Sequence, residues 1–136
     1  MTNQMKIQLR QVSTSTSEAT LRTHQVLIDR PAEKGGADMG PMGGELFLAA
    51  VGGCFMSNLL AAIRARKAEI SDVHTEVIGA IVDSPARFSA VELHVTANSL
   101  DREPLDRVVE IADRACIMMN TIRGKLDLRI RIGVPV

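Results

Sequence analysis

No charged side chain interrupts the chain from Leu46 to Ile63, and a run of that length must cross a bilayer or pass through the middle of a core. Eighteen uncharged residues reach the lower limit for a membrane span, about 18. Gly52, Gly53, Ser57 and Asn58 sit inside the run, four alanines dilute it, and no second stretch of the chain resembles it. A helix apolar on every side at the centre of a soluble fold is therefore the expectation, with no membrane partner. Arg64, Arg66 and Lys67 then fall in the last turn of a helix over residues 45–67, where cations offset the helix dipole.

The rest of the composition fits one core. A chain of 136 residues that is 46% apolar suffices for a single domain over residues 1–136 without disulfide staples or metal. Sixteen basic residues balance sixteen acidic ones, so the positive excess that phosphate neutralisation needs is missing and nucleic acid is not an expected partner. Three phenylalanines, with no Trp or Tyr, leave too few rings for a base-stacking platform. Two cysteines are too few for a secreted disulfide scaffold, and the opening MTNQMKIQL has no targeting pattern, which points to the cytoplasm.

Periodicity orders the elements. Met5, Ile7 and Leu9 alternate with Lys6, Gln8 and Arg10, the period of a half-buried strand, and with residues 19–29 they read as a hairpin across the Ser/Thr cluster at 13–17. Gly and Pro crowd residues 30–44, a long loop of the kind that is functional or mobile in a compact domain. Residues 73–82 and 88–97 form a second hairpin across Asp83-Ser84-Pro85-Ala86. A second helix opens near Asp101 and Pro104, carries the stripe Leu105, Val108, Val109, Ala112, Ala115, Cys116 and Met119, and stops at Gly124. Residues 126–132 alternate as a closing strand. Runs of strands and only two helices give an α+β fold with largely antiparallel sheets.

Several residues are candidates for chemistry. Cys54 follows two adjacent glycines, each costing about 1 kcal/mol in a helix relative to Ala. Either another backbone or a substrate approaches there, or the helix breaks so that Cys54 heads a second segment whose free N–H groups lower its pKa. A small buried hydrophobe is the plainer alternative for Cys54, and core packing accounts for Cys116. The two are the only cysteines, one on each helix, and if the helices pack against each other their sulfurs could meet at disulfide distance. No CxxC or HxxxH spacing joins them to His24, His74 or His94 in a metal site, and the glycine loop has neither GxGxxG nor GxxxxGK[ST]. Glu45 opens the apolar helix at the mouth of the loop, where a first-turn acid also complements the dipole.

The run GPMGGELFLAAVGGC at residues 40–54 resembles the OsmC/Ohr family of thiol-dependent hydroperoxide reductases, with further support from Pro85, Arg87 and Phe88, the segment Ala112 to Cys116, and the closing strand. The resemblance implies an intertwined homodimer, with antiparallel sheets wrapped around two central helices and the N-terminal hairpin, residues 4–29, exchanged or packed at the interface. It implies Cys54 as the peroxidatic and Cys116 as the resolving cysteine, organic hydroperoxides as substrates, no bound cofactor, and an external dithiol, typically a lipoylated protein, as reductant. In that family an Arg of the N-terminal segment and a Glu ten positions earlier serve the reactive cysteine. Arg10 and Arg22 are both candidates for the Arg, and position 44 is Gly with Glu45 one step later, about 100° around a helix. A non-catalytic relative that holds a small apolar ligand, with structural cysteines, is the alternative function.

Overall fold

The computed structural model describes residues 2–133, in two compact units divided between Phe47 and Leu48. In the N-terminal unit, β1 (Gln8–Gln11), β2 (Ser17–Leu21) and β3 (His24–Ile28) make an antiparallel sheet in the order β1-β2-β3. The expected hairpin is thus a three-stranded meander: residues 19–29 turn at Arg22, whose φ is +57°, and β2 pairs on both sides. The first strand is shorter than its alternation. Only residues 8–11 pair, and Met5, Ile7 and Leu9 are all exposed within the chain.

Residues 30–44 are an ordered loop. A 3₁₀ turn, Ala32–Lys34, lies within it, and the buried carboxylate of Asp29 gathers the rest, accepting hydrogen bonds from the Thr16 hydroxyl and the N–H groups of Arg30, Ala37 and Met39. Burial alone pushes the Asp29 carboxyl up, but these donors outweigh it and hold it down at about 2. A side chain at Gly36 would collide with the Arg30 carbonyl, so the loop closes on itself only with glycine there.

Helix α1 (Gly43–Arg66) begins two residues before Glu45 and contributes its first turn to the N-terminal unit. The C-terminal unit holds the rest of α1 with β4 (Ile70–Val82), β5 (Arg87–Ser99), α2 (Arg102–Ala115), α3 (Ile117–Ile122) and β6 (Asp127–Ile132). Its sheet runs β4-β5-β6. The β4–β5 hairpin is antiparallel as expected, but β6 pairs parallel to β5, because α2 and α3 carry the chain back across the sheet before β6 begins. Along β5 the expected alternation holds, with Val91, Leu93 and Val95 buried. These pack in one core with Val51, Phe55 and Leu59 of α1, Leu105, Val108 and Ala112 of α2, and Met119 of α3.

Two helical expectations change. α1 is long and apolar enough to cross a membrane, yet it is not covered on every side: Val51, Gly52, Phe55, Leu59 and Ala62 are buried, while Ala49, Ala50, Gly53, Ser57, Leu60 and Ala61 are exposed within the chain. The second helix is two helices. Cys116 adopts an extended conformation (φ −76°, ψ 118°) between α2 and α3.

Candidate functional site

The buried face of α1 sets the position of Cys54. Val51, Phe55 and Leu59 point into the core, and Cys54, one step around the helix, lies half-buried at its margin. The helix does not break at the glycines, so Cys54 heads no segment of its own. Close approach is the reason for the first of them: a Cβ on Gly52 would lie 2.6 Å from Cγ2 of Val77, where β4 crosses the helix. Gly53 faces open space.

The break lies instead at Cys116. Leu105, Val108, Val109 and Ala112 of α2 are buried, and so are Cys116, Met119 and Ile122 beyond it, so the apolar stripe continues through the interruption. An extended residue at that point starts a new helix and leaves its first N–H groups without intrahelical partners. They turn toward sulfur. The Met118 and Ile117 N–H groups donate to Cys54, and those of Met119 and Met118 donate to Cys116. The helix start in this region is therefore that of α3, not the break in α1 expected at the glycines.

The two thiols are free, not bonded, and hydrogen-bond each other. Their environments push them apart. Burial raises the Cys54 thiol, but the Met118 N–H, the Cys116 thiol and the Ile117 N–H outweigh it, so its pKa falls below the ordinary 9.0. Cys116 is fully buried; burial raises it and the Met119 N–H offsets part of that, but donation to Cys54 and the negative charge there keep it above 9.0. Of the two sulfurs, Cys54 is the one that gives up its proton more readily. Asn58, one turn after Cys54, directs its side-chain amide at the same residue, with Nδ2 2.9 Å from the Cys54 carbonyl oxygen and 3.9 Å from Sγ.

The other candidate side chains, Glu45, Arg10 and Arg22, belong to the N-terminal unit. Oε1 of Glu45 accepts the Met42 N–H at 2.8 Å and ties the loop to the first turn of α1. Arg10 pairs with Glu18 at 3.1 Å on the exposed face of β1 and β2, and Arg22 occupies the β2–β3 turn. Among the described residues no three His, Cys, Asp or Glu side chains form a cluster suited to a metal ion. The α3 amides carried no side-chain signature, and no Gly or Pro between 112 and 120 announced the break. Asn58 had one signal, as an amide inside the charge-free run.

Known proteins show the same arrangement of chain. The structure is similar to that of an OsmC-like protein from Mycoplasma pneumoniae, at 17% identity over 100% of both chains with a TM-score of 0.86. It is similar to an organic hydroperoxide resistance protein from Elizabethkingia anophelis, at 20% identity over 98% of this chain and 99% of that one, TM-score 0.76. OhrB, the organic hydroperoxide resistance protein of Bacillus subtilis, matches at 23% identity over 96% and 98%, TM-score 0.71. At these identities the likeness establishes the fold. No curated protein matches the sequence. The OsmC-like protein family, however, matches residues 35–131, a span that contains both cysteines and the second part of the loop before α1, and the chain belongs to that OsmC/Ohr family.

Proposed function

We propose that this protein is a thiol-dependent peroxidase that reduces organic hydroperoxides to alcohols, working as a cytoplasmic homodimer in the response to oxidative stress. The observation that carries this reading is the divergence of the two sulfurs: a half-buried Cys54 held toward thiolate by amide N–H groups and by the thiol of a fully buried Cys116. Membership of the OsmC-like family supports it.

The Cys54 thiolate attacks the distal peroxide oxygen. The O–O bond breaks, the alkoxide leaves and takes a proton from solvent, and Cys54 becomes a sulfenic acid, two electrons more oxidised. The Cys116 sulfur then attacks the sulfenic sulfur, forming a disulfide and releasing water. An external dithiol, of the lipoyl type, reopens the bond by exchange and ends as a disulfide itself. Burial of an alkyl chain contributes about 0.8 kcal/mol per methylene, which favours organic hydroperoxides over hydrogen peroxide beside such an apolar helix. For Glu45 we propose a positioning part, fixing the loop at the head of α1 rather than touching the sulfur.

The test is a thiol count after one equivalent of cumene hydroperoxide. Both thiols disappear in the native protein, and the Cys116→Ser variant stalls with a sulfenic acid on Cys54 that dimedone traps. Two thiols left intact mean that the enzyme reading fails and a non-catalytic, ligand-holding relative takes its place.

A further inference from the structure

Asn58 is an unusual residue for its position. Between Leu46 and Ile63 its amide is the one strongly polar side chain apart from Ser57 and Cys54, and Asn is a poor helix former because it competes for backbone hydrogen bonds. The Cys54 carbonyl does not need it, since in an unbroken α-helix that oxygen already accepts the N–H of residue 58. Yet the half-buried side chain folds back, placing Nδ2 2.9 Å from that carbonyl and 3.9 Å from Sγ. An amide nitrogen carries two N–H groups. One is anchored on the carbonyl, and the other is left beside the sulfur.

We infer that Asn58 is a positioning residue for the reactive sulfur, an amide clamp that fixes the Cys54 side chain and donates an N–H to its thiolate. This rests on the reading of Cys54 as the nucleophile. The groups acting on the charge of Cys54 are otherwise the Cys116 thiol and the N–H groups of Ile117 and Met118, with no cation among them. A neutral N–H donor beside the sulfur adds to theirs in stabilising the anion.

The experiment compares alkylation of Cys54 by iodoacetamide across pH, located by peptide mapping, in full-length wild type, Asn58→Leu, Asn58→Asp and Asn58→Gln, beside oxidation of each by cumene hydroperoxide. Asn58→Leu, similar in size with no donor, moves the midpoint up by about 0.5 to 1 in pH, which slows alkylation at neutral pH about three- to tenfold. Asn58→Asp moves it further, since it sets a negative charge beside the sulfur. Asn58→Gln, which keeps the amide, recovers part of the loss. A profile for Asn58→Leu that overlays the wild type overturns the inference, even if Asn58→Asp fails to fold. Wild-type Cys54 that alkylates as expected but ignores hydroperoxide sinks the peroxidase reading alone, because the midpoint shift still reports on Asn58.

Discussion

The two units of this chain are held together by different physics. In the N-terminal unit the buried residues are Ala19, Thr16 and Asp29, so its organising centre is a carboxylate that satisfies the donors of a glycine-rich loop. The C-terminal unit buries Phe55, Leu59, Leu93, Leu105 and Met119 almost completely, and its organising centre is an apolar core that ends in two sulfurs. A polar hub specifies one loop path and depends on ionisation. An apolar core does not itself ionise, so the pH dependence of this unit comes from the shifted thiols it holds, in the alkaline range rather than the acid one.

The largest effect expected from that contrast is on the core. Phe55→Ala removes a fully buried ring and costs about 3–5 kcal/mol, read as a lower midpoint in urea unfolding of the C-terminal unit, with loss of the separation between the two thiol titrations. A loss below 1 kcal/mol would mean that the core is not what holds the pair.

Acid separates the units next. The Asp29 carboxyl sits at about 2 in the fold against an ordinary 3.8, so its ionised form favours the native loop. That contribution is fully present above about pH 4 and is lost as pH falls toward 2. Amide exchange at Ala37 and Met39, corrected for intrinsic rate, should therefore speed up over this window, while the amides of Val91, Leu93 and Val95 keep their protection. Asp29→Asn should bring the same loosening at neutral pH and abolish the acid dependence.

The smallest effect concerns Glu45. Glu45→Gln keeps an acceptor for the Met42 N–H and removes only the favourable charge of the first turn, about 0.3–1 kcal/mol. The pH profile of Cys54 alkylation should stay within error of the wild type. A large upward shift would make the carboxylate part of the thiol site and redraw the boundary between the two units' roles.

What the sequence made legible follows the same divide. Alternation along β5 and the stripe on α2 report burial directly, because periodicity is what burial selects, and they located the C-terminal core and Cys116, while the glycine pair in the charge-free run marked Cys54. The direction of β6 has no local signature: Leu128, Ile130 and Ile132 alternate equally well in a parallel or antiparallel pairing. The interruption at Cys116 was hidden because the apolar spacing runs straight through it. In the N-terminal unit, Met5, Ile7 and Leu9 imitate a buried face that the single chain leaves exposed, and the loop's order depends on one aspartate whose partners lie up to 13 residues away. The glycine pair before Cys54 was a correct signal for a close approach, at Gly52 against Val77, while the helix start beside the thiol came from an element that local reading had merged into α2.

The most direct test of the central claim titrates the two sulfurs separately. Alkylation rates of Cys54 and Cys116, resolved by peptide mass across pH 5 to about 11, should give a Cys54 midpoint below the ordinary thiol value of 9.0 and a Cys116 midpoint above it. Coincident midpoints, or Cys116 ionising first, would contradict the assignment of Cys54 as the activated sulfur.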